Sequence, residues 1–175
     1  RSNIFWNDCP SSSRVSVGRP SMTFTRSRIP LRTKRPAMAA AQVRGFQGPA
    51  LGTPGRLMAC AKHFALNSQE TARFKNDVLI DERTLREVYL PHFRKVVEHD
   101  VASFMSAYNK MRGEWCGENR HLLTTILRED WGFQGFVTSD WFLGVYDGAK
   151  GVHAGLDIEM PTGRFYGENL KKLVE

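Results

Sequence analysis

Short apolar runs that end in polar residues recur along the chain from residue 56 onward, and this pattern is typical of strands. Between these runs, apolar residues recur at helical spacing. Strands and helices therefore alternate, which predicts a parallel sheet with covering helices, because parallel neighbours need a crossover connection. The predicted strands are 56–61, 101–105, 135–138 and 155–161.

The predicted helices carry recognisable end signals. Asp81 suits the N-cap of a helix over 81–98, and Pro91 within it should kink or interrupt that helix. Asn119 begins another helix, and Gly132 ends it. The apolar stripe of that helix consists of Leu122, Leu123, Ile126 and Leu127. Further helices are predicted over 37–46, in the connection before residue 155, and from about residue 166.

Each predicted strand is apolar at its start and polar where it finishes. In parallel sheets and barrels, the carboxyl ends of the strands lie at one edge, and binding sites are built there. We therefore expect the polar residues that finish the strands to lie close together. They are Lys62 and His63, Tyr108 and Asn109, Asp140 and Trp141, and Asp157 with Glu159.

Composition divides the 175-residue chain near residue 36. Residues 1–36 hold eight of the 25 basic residues and one of the 18 acidic residues, so the net charge of +7 belongs to this segment. Its apolar residues follow no period, which predicts an irregular basic arm before a domain at 37–175. A nucleic-acid-binding arm is the alternative. Basic and aromatic residues are not interleaved there as in such modules, so we expect no nucleic-acid partner.

Cysteine spacing and hydropathy argue against other classes of protein. Three cysteines without paired spacing favour neither a disulfide framework nor a zinc site. No apolar run approaches the ~20 residues that a membrane span needs, so we expect no membrane partner.

The polar residues at the predicted sheet edge allow more than one interpretation. Asp140 is either a helix N-cap or a carboxylate that a rigid strand aims at a substrate. Trp141 beside it offers a flat apolar face that suits a sugar ring. Lys62 and His63 are adjacent, so a regular strand would point them to opposite sides. Both reach one ligand only if the backbone there is irregular.

Two further pairs of residues stand three apart in the sequence. Glu70 and Arg73 either pair with each other or serve a site. Met105 and Tyr108, taken alone, are consistent with ordinary core packing.

Five segments, in order, resemble motifs of glycoside hydrolase family 3. The first, K-H-F-A-L-N-S-Q-E-T-A-R at 62–73, is similar to the K-H-F-x-x-N-x-Q-E-x-x-R segment of that family. The other four are D-E-R-T-L-R-E-V-Y-L-P at 81–91, S-A-Y-N-K at 106–110, G-F-V-T-S-D-W at 135–141 and A-G-L-D-I-E-M-P at 154–161. The resemblance covers roughly residues 37–175 and favours the β-glucosidase subgroup.

The resemblance implies an α/β fold and an activity. The fold would be a partial (β/α)8 TIM-like barrel, about its last four β/α units, behind the irregular arm. The activity would be retaining hydrolysis of β-glycosidic bonds at non-reducing-end glucose-like residues, with Asp140 as the nucleophile. The substrate would be a β-glucoside or oligosaccharide, and the resemblance implies no metal or organic cofactor.

The resemblance also implies roles for the residues around that nucleophile. Lys62, His63 and Arg73 would bind the hydroxyls of the sugar. Met105 and Tyr108 would line the same pocket, and Trp141 would flank the side of the leaving group. Such contacts are catalytic where they tighten at the transition state.

Parts of the family pattern are missing from this chain. Retaining hydrolysis needs a second carboxyl group ~5–5.5 Å from the nucleophile. Glu114, Glu118 and Glu159 are available, but the resemblance favours none of them, because the acid/base glutamate of the family's β-glucosidases comes from a downstream domain. The family motif expected shortly before Ala37 is also missing, which is consistent with an out-of-frame or foreign leader at 1–36.

These gaps lead to an expectation about the isolated chain. We expect a fragment that is inactive by itself and needs the missing parts of the parent enzyme. Unpaired edges of a half barrel would permit self-association. A non-catalytic sugar-binding module on the same half barrel is the alternative.

Overall fold

The computed structural model of the protein describes residues 31–175. The first helix, α1 (Leu31–Gln47), begins before the predicted 37–46, so the boundary predicted at residue 36 falls inside it. Leucine, lysine and arginine in the residues before Pro36 favour a helix, which accounts for the earlier start. Residues 1–30 of the predicted arm, with the nucleic-acid alternative, lie outside the described residues.

Residues 31–175 contain six strands, several α-helices and two π-helical segments. The strands are β1 (Cys60–Phe64), β2 (Asp77–Val78), β3 (Ser103–Ser106), β4 (Lys110–Met111), β5 (Glu114–Trp115) and β6 (Phe136–Thr138). After α1, the α-helices are α2 (Glu82–Thr84), α3 (Pro91–Val97), α4 (Gly148–Ala154) and α5 (Glu168–Val174). The π-helical segments are Leu85–Tyr89 and His121–Asp130, and a 3-10 turn covers Cys116–Glu118.

β1, β3 and β6 form a parallel sheet in chain order, as the alternation predicts. The prediction of a fourth strand at 155–161 is wrong. This segment forms only one isolated parallel bridge, between Thr138 and Ile158. The Asp157 carboxylate accepts the Val137 N–H at 2.6 Å. A side chain therefore takes a hydrogen bond that a strand partner would otherwise accept.

β1 begins later than the predicted strand 56–61, and its partner explains the difference. Cys60 of β1 pairs with Ser103, the first residue of β3. Residues 56–58 lie outside any strand of the described chain and are exposed. β1 is consequently an edge of this sheet, as far as residues 31–175 are concerned.

A second small sheet, in the order β2-β4-β5, is not predicted by the hydrophobic pattern, because strands of two residues are too short to show alternation. β4 and β5 form a hairpin whose Arg112 and Gly113 have φ of 52° and 90°. Two consecutive positive φ values are typical of a type I′ hairpin turn. The Gly113 N–H donates to the Asp77 carboxylate at 3.0 Å, which ties β2 to that turn.

The predicted helix 81–98 is divided into three pieces. Asp81 caps it, since its carboxylate accepts the Thr84 N–H at 2.9 Å, as predicted. Pro91 lies in the first turn of α3, so the interruption predicted at this proline is confirmed. The π-helical segment Leu85–Tyr89 lies between α2 and α3.

The core lies against the parallel sheet. The predicted stripe of the His121–Asp130 helix is fully buried, and it belongs to one cluster with Phe64, Phe104 and Val137 of the three parallel strands. Asn119 accepts the Leu122 N–H at 3.0 Å at the start of this helix. None of the described helices is long and apolar enough to cross a membrane.

Candidate active site

Asp140 follows β6 at the carboxyl end of the sheet and is only 5% exposed. Its Oδ1 accepts the N–H of Trp141 at 2.8 Å. No helix begins there, since α4 starts at Gly148 and is capped by the Asp147 carboxylate. Asp140 is therefore not a helix N-cap, and its side chain is held by its own turn.

The other carboxylate oxygen of Asp140 faces His63. Oδ2 lies 3.3 Å from His63 Nε2, within ion-pair distance. This contact is not a hydrogen bond, and within residues 31–175 Oδ2 is buried without one. A buried carboxylate oxygen that the protein leaves unbonded is free to engage a ligand atom.

An irregular backbone brings His63 to Asp140. The register between β1 and β3 shifts between Ala61 and Phe64. The register shift is an irregularity of the kind that both residues would need to serve one ligand. The Lys62 side chain is exposed, and the structure brings its charge near the imidazole rather than placing it against Asp140 in an ion pair.

The electrostatics around His63 favour its neutral form. Partial burial lowers the pKa of His63 below its ordinary 6.5, and the charges of Lys62 and Arg73 lower it further. Asp140 acts in the opposite direction but does not reverse the shift. Near neutral pH, His63 is thus an uncharged imidazole that can donate or accept one hydrogen bond at each nitrogen according to its tautomer.

Tyr108, just beyond β3, is buried beside the same carboxylate. Its hydroxyl donates to the Trp141 carbonyl at 2.8 Å, which fixes the turn that holds Asp140. Burial, together with the nearby Asp140 carboxylate, raises the pKa of Tyr108 to about 12. The phenol therefore stays protonated and keeps donating throughout the neutral range.

Arg73 lies over the ring of Tyr108, with its guanidinium carbon 4.8 Å from the ring centre. It also pairs with Glu70 at 2.6 Å, so the pairing considered from the sequence does occur. Phe74, which the sequence analysis did not single out, packs edge-on against Tyr108 with ring centres 4.7 Å apart. Its position next to Arg73, a candidate site residue, was the sequence signal that could have identified Phe74.

Trp141 and Met105 frame the carboxylate differently. Met105 is half-buried in β3, paired in register with Thr138. Trp141 is exposed, and so is the neighbouring Phe142, at 63%. The sequence analysis did not identify Phe142, although two aromatic residues in a row after a strand could have indicated an apolar rim.

The other carboxyl groups considered for the acid/base role either accept backbone hydrogen bonds or are exposed to solvent. Glu118 accepts the backbone N–H groups of Tyr146 and Asp147, at 2.6 and 2.8 Å. Glu159 likewise accepts two backbone N–H groups, those of residues 165 and 166. Glu114 is exposed in the hairpin. Two of the three carboxylates thus fix loops of this chain.

The chain is similar in sequence to known proteins of the family that its motifs resemble. Residues 26–175 match the family described as Glycosyl hydrolase family 3 N terminal domain. Thermostable beta-glucosidase B of Acetivibrio thermocellus is 46% identical over 139 residues, which are 79% of this chain and 17% of that protein. A beta-glucosidase of Kluyveromyces marxianus is 42% identical over 120 residues, 68% of this chain and 13% of that protein.

Solved structures agree. DesR, a beta-glucosidase from Streptomyces venezuelae in complex with D-glucose, superposes with a TM-score of 0.69 at 40% identity, covering 77% of this chain and 18% of that one. Beta-glucosidase 3B from Thermotoga neapolitana in complex with glucose gives 0.68 at 38% identity, covering 79% of this chain and 19% of that one. The chain spans less than a fifth of the length of these relatives. Since the family match takes in most of the chain, the protein belongs to glycosyl hydrolase family 3, as part of its N-terminal domain.

Proposed function

We propose that this chain carries the nucleophile of a retaining β-glucosidase. The proposal depends on one observation: Asp140 presents a buried, unbonded Oδ2 beside His63, at the carboxyl end of a parallel strand. Its Oδ1 is occupied by the Trp141 N–H, which leaves Oδ2 as the attacking oxygen. The beta-glucosidase relatives support a β-glucoside as the substrate.

In the proposed reaction, Oδ2 of Asp140 forms a bond to the anomeric carbon while the bond to the leaving-group oxygen breaks. Lys62, His63 and Arg73 bind sugar hydroxyls, and neutral His63 donates one hydrogen bond without adding a charge to the site. Met105 and Tyr108 line the sugar pocket. Water then hydrolyses the covalent glycosyl-enzyme, which restores Asp140 and gives net retention at the anomeric carbon.

The leaving-group oxygen must also receive a proton, and we propose that the acid/base carboxyl comes from outside this chain. Glu118 and Glu159 are engaged by backbone N–H groups, and Glu114 is exposed. Trp141 and Phe142 would form the apolar side of the leaving-group position. Normal β-glucosides would accordingly not be turned over by the chain in isolation.

The wider architecture follows from the same relatives. We propose that the parallel strands form part of a (β/α)8-type barrel, completed by the remainder of a longer protein. The chain order of β1, β3 and β6 is the order that consecutive barrel strands require. A further strand of the longer protein would then pack against the exposed apolar residues before β1. In the isolated chain, a second copy could pack there instead.

A substrate with a very good leaving group separates the nucleophile from the acid. We suggest treating the 175-residue chain with 2,4-dinitrophenyl 2-deoxy-2-fluoro-β-glucoside, whose dinitrophenolate departs without protonation and whose fluorine slows hydrolysis of the intermediate. The expected result is release of one dinitrophenolate per chain and a fluoroglucosyl ester on Asp140, located by peptide mass mapping. An ordinary alkyl β-glucoside should not be cleaved.

Two variants control this experiment. Asp140→Asn should abolish labelling, whereas Asp100→Asn, which removes an exposed carboxylate beyond the amino end of β3, should label like the wild type. Circular dichroism first establishes that all three chains are folded alike. A folded wild type that stays unlabelled, yet binds glucose as tightly as Asp140→Asn does, would instead identify a non-catalytic sugar-binding module.

A further inference from the structure

Three side chains meet beside the candidate active site: those of Arg73, Phe74 and Tyr108. The guanidinium carbon of Arg73 lies 4.9 Å from the centre of the Phe74 ring and 4.8 Å from the centre of the Tyr108 ring. The two ring centres are 4.7 Å apart, and the ring planes are at 69° to each other. The three groups therefore form a triangle of nearly equal sides, in which the guanidinium contacts both rings at once.

A turn in the chain makes this triangle possible. Adjacent residues of an extended strand point to opposite sides, so Arg73 and Phe74 reach the same tyrosine ring only because the backbone is not extended here. Ala72, just before them, has a φ of 55°, in the left-handed region that residues other than glycine seldom adopt. Its carbonyl accepts the N–H groups of residues 75 and 76 at 2.8 and 3.1 Å. These hydrogen bonds hold the turn that carries both side chains.

Glu70 fixes one end of the guanidinium and leaves the rest of it available. The Glu70 carboxylate accepts a hydrogen bond from Nη1 of Arg73 at 2.6 Å. A guanidinium carries five N–H groups, and within residues 31–175 the Arg73 side chain donates to no other partner. Its remaining N–H groups can therefore donate to the oxygen atoms of a ligand.

The triangle is connected to the surroundings of Asp140. Burial is the main cause of the lowered pKa of His63, and the charge of Arg73 adds to it. Nε2 of this histidine lies 3.3 Å from Oδ2 of Asp140. Tyr108, under the guanidinium, donates its hydroxyl to the carbonyl of Trp141, in the turn that holds Asp140. Arg73 is thus held close to the carboxylate that we propose as the nucleophile.

Phe74 is the member of the triangle to which nothing above gives a role. It lies outside the buried core cluster and is 37% exposed, so burial explains its position only in part. We infer that Phe74 is a positioning residue: with Tyr108, it holds the Arg73 guanidinium in the orientation in which the free N–H groups meet a sugar hydroxyl. This inference rests on the proposed function, in which Arg73 binds the sugar.

The physical reason is preorganisation. Arginine has a long side chain with many rotamers, and fixing it at the moment of binding costs conformational entropy. Two aromatic rings and one carboxylate that hold the guanidinium beforehand reduce that cost. Phe74 then improves sugar binding without touching the sugar or the reacting atoms.

The affinity of the 175-residue chain for D-glucose, measured by isothermal titration calorimetry, tests this inference. Phe74→Leu removes the ring but keeps an apolar side chain, and it should raise the Kd for glucose about three- to tenfold, as expected for the loss of one cation–π contact. Phe74→Tyr keeps a ring and should retain the wild-type Kd. Phe46→Leu makes the same replacement at another exposed phenylalanine, in α1, and should leave the Kd unchanged.

A double-mutant cycle with Arg73→Gln separates positioning of the arginine from a general effect on the loop. Arg73→Gln alone should weaken glucose binding, and Phe74→Leu should then add nothing, because the group that Phe74 positions is gone. Nuclear magnetic resonance checks the contact without sugar. The Nε–H signal of Arg73, identified as the one that Arg73→Gln loses, should be shifted upfield by the rings and should lose part of this shift in Phe74→Leu.

Two results would overturn the inference while leaving the nucleophile at Asp140 unaffected, since labelling by the fluoroglucoside is measured separately. The first is a wild-type Kd in Phe74→Leu. The second is an equal loss of affinity from Phe74→Leu with and without Arg73, which would mean that the ring supports the loop rather than the guanidinium. If glucose binds too weakly for calorimetry, the half-saturating concentration of the fluoroglucoside in the labelling reaction replaces the Kd. A wild-type chain that neither binds glucose nor is labelled contradicts the proposed function, and this inference with it.

Discussion

Glu82 joins three parts of the molecule that the chain order separates, so its replacement should have an effect beyond one surface ion pair. It contacts Arg86 of the adjoining π-helical segment at 2.5 Å, Arg112 of the hairpin turn at 3.1 Å and His121, the first residue of the His121–Asp130 helix, at 3.0 Å. Arg86 in turn pairs with Asp130 at 2.7 Å. Glu82→Gln would keep the shape of the side chain and remove the charge.

The structure sets the expected magnitude. Burial raises the pKa of Glu82, but hydrogen bonds from Arg86, His121 and Arg112 outweigh it and hold the pKa at about 2, against an ordinary 4.5. At roughly 1.4 kcal/mol for each tenfold change, this gives an upper limit of about 3 kcal/mol. The side chain is 42% exposed, so solvent screening reduces the expected contribution to about 1–2 kcal/mol.

The sign of the pH dependence follows from the lowered pKa. Because the folded state binds the proton less tightly than the unfolded state, the stabilisation is fully present above pH 4.5. It should be lost as the pH falls from 4.5 towards 2. Urea denaturation followed by tryptophan fluorescence, at several pH values between 7 and 2, measures the difference between wild type and Glu82→Gln.

Glu129→Gln is the matched control, since Glu129 forms one ion pair among the described residues, with Arg120 at 3.6 Å, and both side chains are exposed. It should change the free energy of unfolding by less than about 0.5 kcal/mol. The reasoning is refuted if Glu82→Gln destabilises no more than Glu129→Gln at pH 7. It is refuted equally if the difference persists unchanged at pH 2, where about half of the folded chains carry a protonated Glu82 and most of its stabilisation should be lost.

Three further outcomes are expected. Ile126→Ala shortens a fully buried side chain and leaves a cavity, so it should lower the free energy of unfolding by about 2–5 kcal/mol in urea denaturation. Met38→Ala, at an exposed position, should leave it unchanged. Tyr108→Phe removes the hydrogen bond to Trp141 and should slow dinitrophenolate release about five- to tenfold with an unchanged circular dichroism spectrum, in line with roughly 1 kcal/mol for such a bond; an unchanged rate would mean that this bond does not position the nucleophile. Met58→Lys places a charge at the exposed apolar edge and should reduce concentration-dependent self-association in sedimentation velocity; a wild-type chain that stays monomeric at all concentrations would contradict this.

The sequence predicts the fold best where local and global signals agree. The cap at Asp81, the interruption at Pro91 and the parallel order of the strands all follow from patterns that tertiary packing reinforces. A regular helix would place Val88 and Tyr89 on the same face as the buried Leu85, but both are exposed. The π-helical segment Leu85–Tyr89 widens the turn there, and a period of 3.6 residues contains no sign of this.

The limits at the site are of another kind. The sequence places His63 and Asp140 at one edge, and the structure brings them within 3.3 Å. Their approach depends on the register shift in β1, which motif spacing does not reveal. The roles of these residues stay predictions. The sequence also does not reveal how a side chain is oriented. Asp140 and Asn109 each have one unbonded oxygen, and which atom this is depends on the neighbours that form hydrogen bonds with the other polar atoms of the side chain.

The distribution of those unbonded atoms supports the proposed function. Four side-chain nitrogen or oxygen atoms are buried without a hydrogen bond from the described residues, and they belong to Asn67, Ser106, Asn109 and Asp140. Each lies at or shortly after the carboxyl end of β1, β3 or β6. A fold satisfies its buried polar groups wherever stability alone decides, so exceptions scattered at random would suggest loose packing. Exceptions gathered at one edge of a parallel sheet indicate instead that this edge is built to be completed by something the chain does not contain, as the sugar proposed at Asp140 would do.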